Sequence, residues 1–249
     1  MKLEAVISDM DGVLCATVDY HYRSWQEVAD DAGIPFDRHV NNQLRGLTRR
    51  RSLETIVGER ELPEAQLQAM MAQKNRHYLE LIADLGPDDA LPGAARLLDE
   101  VVAACLKIAV VSGSRHVKPV LERLGLAQRV DVMVDGSMVA RSKPAPDGFL
   151  YAATLLEVPP VACLVLEDAP AGIAAARAAG MAAVGVGPAV TEGEAQAVFA
   201  TLASVHVEDL QAAWAAQKRA GQPRRVKGDG DAEFSEGRGS RRQISSGKD

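Results

Sequence analysis

The sequence predicts an α/β protein: a parallel, Rossmann-like sheet core with an inserted all-helical cap domain. Three features predict it. Apolar runs alternate with helical periodicity over residues 91–186, a similar apolar run stands alone near the N-terminus, and the stretch between them shows helical spacing with no strand.

The first strand is the apolar run of Leu3, Ala5, Val6 and Ile7, which ends in Asp9-Met10-Asp11-Gly12. Gly12 permits a sharp turn, and the carboxyl end of a strand is where ligands bind in an open parallel sheet. After Leu14 the spacing turns helical. Tyr20, Trp25, Val28, Ala29 and Ala32 recur at three- and four-residue steps up to Gly33-Ile34-Pro35. Residues 52–57 run to Gly58, and residues 63–83 place Leu67, Met70, Met71, Tyr78, Leu79 and Ile82 on one helix face. Residues 15–88 are thus the expected cap, and residues 1–14 with 89–216 the expected core. The core continues as helix 93–104, strand 106–111, helix 118–124, strand 130–134, helix 146–156, strand 162–166, helix 172–179 and a final strand 181–186, giving five strands. From residue 217 to 249 Lys, Arg, Gly, Ser and Asp dominate, so this tail is expected to be disordered.

With 249 residues and 47% hydrophobic content, the chain has enough apolar material for a real core. Its net charge of −6 gives no reason to expect nucleic acid or an anionic membrane as partner, and no apolar segment approaches the length of a membrane span. Cys15, Cys105 and Cys163 lie far apart with no C-x-x-C spacing, as reduced, mostly buried thiols would. With the first strand starting at once and no leader pattern before it, a cytoplasmic monomer is expected.

The other strand ends also carry polar groups. Strand two runs into Ser112-Gly113-Ser114-Arg115: a hydroxyl, a glycine that exposes backbone N–H groups, and a cation at the start of a helix, a set suited to phosphate. After strand three, Pro144 and Pro146 stiffen the approach of Lys143 to the same rim. Strand four ends in Glu167-Asp168. Adjacent carboxylates at a sheet rim repel unless a cation sits between them, and oxygen donors from Asp9, Asp168 and Glu167 suit Mg²⁺ far better than zinc. A carboxylate nucleophile, a second carboxylate for proton transfer, a hydroxyl, a lysine and acidic metal ligands are the inventory of phosphoryl transfer through an aspartyl phosphate.

In their order and at their strand ends, Asp9-Met10-Asp11-Gly12, Ser112, Lys143 and Glu167-Asp168 resemble the four signature motifs of the haloacid-dehalogenase-like superfamily. Tyr20-His21-Tyr22-Arg23-Ser24-Trp25, residues 42–49, Ser52-Leu53 and Lys74-Asn75-x-x-Tyr78 resemble the cap of its β-phosphoglucomutase family. The similarity covers residues 1–214. It implies that Asp9 is the nucleophile that becomes phosphorylated and Asp11 the general acid/base. Ser112 and Lys143 would hold the transferring phosphoryl group, and Mg²⁺ would be bound by Asp9, the Asp11 backbone carbonyl, Glu167 and Asp168. In the cap, His21 would orient Asp11, Arg49 would grip the second phosphate, and Lys74, Trp25 and Gly46 would line the sugar site. Thr17 matches a hinge position, Ser52 belongs to the same cap motifs, and Ser114 with Arg115 would complete the site on the core side. Three departures bear on substrate preference: Gly113 where the family commonly has alanine, Arg115-His116 where it often has Lys-Asn, and Arg50-Arg51 where acidic or neutral residues often follow Arg49.

The implied activity is the conversion of β-D-glucose 1-phosphate to glucose 6-phosphate through β-glucose 1,6-bisphosphate. The alternative is an Mg²⁺-dependent sugar-phosphate phosphatase with the same core and water as acceptor. A phospho-accepting receiver module also clusters acids and a lysine around Mg²⁺, but the helical insertion and chain length speak against it. His21, Arg49 and Lys74 favour the mutase, since a hydrolase needs one phosphate site and a mutase two.

Overall fold

The first strand, β1 (Ala5–Ser8), is buried along its whole length because strands flank it on both edges and helices cover both faces. The computed structural model describes residues 2–191 and 193–221. Around β1 run β2 (Lys107–Val111), β3 (Val132–Val134), β4 (Cys163–Glu167), β5 (Ala182–Val186) and β6 (Ala197–Phe199), all parallel, in the order β3-β2-β1-β4-β5-β6. Ile7 pairs with both Ala109 and Val165, so β1, β2 and β4 end level and deliver Asp9, Ser112 and Glu167 to one rim. Among the described residues the sheet has six strands, one more than the sequence pattern shows. β6 is three half-buried residues at an edge, too short for an alternation to register. β3 starts later than its apolar run, where Asp131 turns its carboxylate to accept from the Ile108 amide at 2.7 Å.

Alternation along β1 sends Val6 to one face and Ile7 to the other. On the Val6 side pack α5 (Ala94–Ala103), α6 (Val117–Arg123) and α9 (Val207–Gly221); on the Ile7 side pack α7 (Asp147–Leu156) and α8 (Pro170–Ala178). Leu210, Ala213 and Trp214 bury one stripe of α9, and the Trp214 indole donates to the Val161 carbonyl at 3.0 Å. That helix continues to Gly221, which corrects the expected start of disorder at residue 217; residues 222–249 of the expected tail lie outside the described residues.

Between β1 and α5 come α1 (Val18–Asp31), α2 (Arg38–Gln43), α3 (Arg49–Val57) and α4 (Glu64–Leu81), which bury a cluster of their own around Trp25, Val28, Leu53, Ile56 and Met70. Asp37 caps α2 by accepting from the Val40 amide at 2.8 Å. Leu79, grouped by spacing with the buried face of α4, is 39% exposed, while Lys74 of the same helix is buried. The two connections between this helical layer and the sheet run side by side, bridged at Cys15 and Ala90. Cys15 and Cys163 are buried free thiols and Cys105 an exposed one. Among the described residues no helix is long and apolar enough to cross a membrane.

Candidate active site

Asp9 follows β1 directly, its N–H donating to the Leu166 carbonyl at 2.9 Å. Lys143 donates to Asp9 Oδ1 at 2.5 Å and to Glu167 Oε1, and all three side chains are buried. Burial works against the Lys143 ammonium, yet Asp9 and Glu167 outweigh it and hold its pKa above the ordinary lysine value. Asp9 is pushed well above the carboxylate range by burial; Lys143 opposes this, and Glu167, Asp168 and Asp11 add to it. Asp168 is pushed up to about 7, by burial first and Glu167 second, with Arg45 and Lys143 pulling the other way.

Asp9, Glu167 and Asp168 offer ligand oxygens within 4.8 Å of one another. Glu167 Oε2 already accepts from the Asp168 and Ala169 amides at 3.0 and 3.2 Å. The nearby cations, Lys143 and Arg45, carry less charge than these acids can, and the donors are all oxygen. The cluster therefore fits a hard divalent cation, with Asp9 and Asp168 freer to ligate than Glu167. The Asp11 carboxylate is not part of it.

Asp11 instead accepts from Thr17 Oγ1 at 2.5 Å, Ser112 Oγ at 2.8 Å and His21 Nε2 at 3.2 Å. Burial alone would raise its pKa, but His21 and these three hydrogen bonds outweigh burial and keep Asp11 a carboxylate, well below the usual range. On the far side of the ring, Lys74 Nζ lies 2.8 Å from His21 Nδ1. The lysine is the donor there, so the ring's own proton sits on Nε2 and points at Asp11. Burial and then Lys74 lower the His21 pKa; burial and then Arg49 bring Lys74 down to about 7. Tyr78 stacks on His21 at 4.3 Å between centroids and receives the Lys74 ammonium over its face at 4.2 Å.

Arg49, which opens α3, donates to Asn75 Oδ1 at 2.7 Å and lies 3.4 Å from His116 Nε2. Burial and then Arg115 lower the Arg49 pKa; burial, then Arg49 and Lys74, push His116 down to about 4. Among the described residues neither Arg49 nor Arg115 pairs with a carboxylate, an arrangement suited to receiving an anion.

Most of the expected residues share one cavity of about 70 Å³ between the sheet rim and the helical layer. Asp9, Asp11, Ser112, Ser114 and Arg115 line it from the core; His21, Trp25, Gly46, Arg49, Ser52 and Lys74 line it from the helices. Thr17, Lys143, Glu167 and Asp168 stand behind the wall and act on the lining groups. Arg49 and Arg115 also line a groove of about 680 Å³ that Asp9 and Asp11 do not reach, so they mark the cavity's outer end. Sequence reasoning missed Arg45, which leaves the loop after α2 to donate to Asp168 Oδ2 at 2.8 Å, and gave Asn75 no role. Both lie in stretches that resemble the family's cap, residues 42–49 and Lys74-Asn75-x-x-Tyr78, but nothing in those stretches points to their partners. Gly113 sits where that same loop touches the core, and a Cβ there would overlap the Leu47 carbonyl.

A parallel sheet whose rim gathers two carboxylates, a hydroxyl, a lysine and an acidic pair under a helical layer defines the class of protein, and residues 3–180 match the family model of haloacid dehalogenase-like hydrolases. The chain is 43% identical over 189 residues to a β-phosphoglucomutase of Bacillus subtilis strain 168, an overlap of 74% of this chain and 84% of that protein. It is 35% identical over 191 residues to a fructose-1-phosphate phosphatase of Escherichia coli K12, covering 74% and 97%. The crystal structure of a β-phosphoglucomutase from Clostridium difficile matches with a TM-score of 0.82 at 34% identity, over 86% of this chain and 97% of that one. The chain belongs to the haloacid-dehalogenase-like superfamily and, within it, to the β-phosphoglucomutase family, and is an enzyme of that superfamily.

Proposed function

We propose that the protein is a Mg²⁺-dependent β-phosphoglucomutase, interconverting β-D-glucose 1-phosphate and D-glucose 6-phosphate through an aspartyl phosphate at Asp9 and β-glucose 1,6-bisphosphate. The observation that carries this is the two-ended cavity: Asp9 and Asp11 at the core end, and Arg49 and Arg115, without carboxylate partners, at the outer end. A bisphosphate needs both ends, a phosphatase only the first.

Starting from phosphorylated Asp9, ionised Asp11 removes the proton from the sugar's 6-hydroxyl as that oxygen attacks phosphorus and the Asp9–phosphorus bond breaks. After the bisphosphate is turned around, Asp9 attacks the 1-phosphate, and Asp11 returns the proton to the leaving 1-oxygen. The depressed pKa of Asp11 supplies the form required first. His21, held neutral with its proton on Nε2, keeps the carboxylate aimed, and Thr17 and Ser112 hold it from the other sides. Lys143 steadies Asp9. Asp9 and Asp168, with Glu167 beside them, would hold Mg²⁺, which would supply charge neutralisation for the transferring group. Residues 15–88, as a cap over residues 1–14 and 89–216, would exclude water while Arg49 holds the second phosphate and Lys74, Trp25, Gly46 and Ser52 surround the sugar. That sets the acceptor, because a held hydroxyl has a high effective concentration against water.

The test is β-D-glucose 1-phosphate with Mg²⁺ and a trace of hexose bisphosphate, followed in parallel by coupled glucose 6-phosphate oxidation and by free-phosphate release. Glucose 6-phosphate should form much faster than phosphate. Phosphate release alone, across β-hexose 1-phosphates, would assign the protein to the sugar-phosphate phosphatases, the activity that its Escherichia coli relative is named for.

A further inference from the structure

Arg45 is the one cation of the helical layer that reaches the acidic cluster among the described residues, its Nη1 donating to Asp168 Oδ2 at 2.8 Å while its Nε is buried with no partner. The loop that carries it is seated on the core at two further points. A Cβ on Gly46 would strike the Lys143 side chain, and the Leu47 carbonyl lies so close to Gly113 that only a glycine fits beneath it. Residues 45–47 thus rest on Asp168, Lys143 and Gly113, and the polar part of that seat is a single ion pair.

We propose that Arg45 is a positioning residue that gauges the charge at Asp168, so that closure of the helical layer depends on what the core site holds. This rests on the reading of Asp9 and Asp168 as holders of Mg²⁺. Arg45 contacts Asp168 at the edge of a cluster in which the carboxylates of Asp9, Glu167 and Asp168 outnumber Lys143, an excess of negative charge that attracts the guanidinium. A divalent cation on Asp9 and Asp168 would cancel that excess of negative charge and remove the attraction. A phosphoryl group then adds negative charge to the same spot and restores the attraction. The metal-bound, phosphate-free enzyme is therefore the most open state, ready to admit a sugar phosphate, and the state holding both ligands is closed. The two halves of this coupling are reciprocal: an arginine that competes with metal for Asp168 weakens the metal, and its removal must strengthen metal binding.

Calorimetric titration of Mg²⁺ into the full chain, with small-angle X-ray scattering of the same samples, tests this in the wild type, Arg45→Gln and Arg45→Lys. Arg45→Gln should bind Mg²⁺ about fivefold or more tightly than wild type. The wild-type radius of gyration should rise with Mg²⁺ and fall again when inorganic phosphate is added. That response should be lost in Arg45→Gln and kept in Arg45→Lys. Mg²⁺ binding by Arg45→Gln that is unchanged or weaker, with the scattering response intact, would overturn the proposal and leave the metal site standing. No binding of Mg²⁺ by the wild type would overturn both. Neither readout depends on turnover, so the choice between mutase and phosphatase does not enter.

Discussion

The core rim and the helical layer hold their polar groups in opposite ways. On the rim the groups next to the first strand hold one another in place: Lys143 is fixed between Asp9 and Glu167, and Asp11 between Thr17, Ser112 and His21. Across the cavity, Arg49 of the helical layer faces Arg115 of the core, neither with a carboxylate partner among the described residues, and Lys74 of the helical layer keeps a depressed pKa in a buried place. A site that is complete before its ligand arrives is preorganised for one chemical step, whereas uncompensated cations are completed by the ligand itself. On the proposed function, phosphoryl transfer would belong to the rim and the choice of acceptor to the helices.

The largest effects should come from breaking the rim. On the proposed mechanism Asp9→Asn removes the carboxylate that would be phosphorylated and should abolish both isomerisation and phosphate release, with circular dichroism unchanged. Asp11→Asn loses the proton carrier and should cost about 10²- to 10⁴-fold in turnover. Wild-type turnover in Asp9→Asn would remove the rim from the chemistry altogether.

Changes on the helical side should separate the two activities instead of ending both. Arg49→Ala should slow isomerisation by about 10²-fold or more while leaving hydrolysis of a small acyl phosphate within about threefold, because only the sugar bisphosphate uses the outer end. Equal losses in the two assays would mean that Arg49 serves the rim. A smaller effect is expected of Gly113→Ala. The added methyl group must push back the Leu47 carbonyl, and with it the seat of the helical layer. Overpacking of this kind should lower isomerisation about three- to tenfold and raise the share of turnover lost to water. An unaltered ratio of the two products would show that the loop yields without cost.

How much of this was legible in the sequence follows the same division. Asp9, Asp11, Ser112 and Glu167 sit at strand ends, and a parallel sheet with level strands brings such ends together whatever the connections do, whereas Lys143 reaches them from the connection between β3 and α7. Periodicity therefore sufficed to gather them. Arg45 reaches Asp168 and Asn75 reaches His116 across the interface, and these partners are distant in sequence, so no spacing rule applies. Lys74 was visible as part of a motif, but its burial contradicts the ordinary behaviour of a helix-surface lysine and follows from Tyr78, Trp25 and His21 closing round it. The strand missed at the edge, β6, fails for a different reason: three half-buried residues contain no repeat.

The smallest expected effect concerns what the helical layer spends in stability to keep that lysine inside. Burial brings the folded-state pKa of Lys74 down to about 7, against 10.5 for an ordinary lysine. Between those values the unfolded chain holds a proton that the folded chain has released, so folding becomes more favourable as pH rises through that window, by at most ~1.4 kcal/mol per pH unit. Below it both states are protonated and the full cost of the buried charge remains. Lys74→Met removes the titration while keeping an unbranched apolar side chain in place. The difference in unfolding free energy, wild type minus variant, should therefore climb by about 1 to 2 kcal/mol from pH 7 to pH 8.5 in urea titrations, and level off below about pH 6. Asp168, raised to about 7, gives a contribution of the opposite sign on the acid side of neutrality, and subtraction of the two proteins cancels it. A difference that stays flat from pH 6 to 8.5 would mean that Lys74 keeps its proton in the folded protein. The cation facing His21 would then be permanent, and the helical layer would hold one more charge that it cannot balance alone.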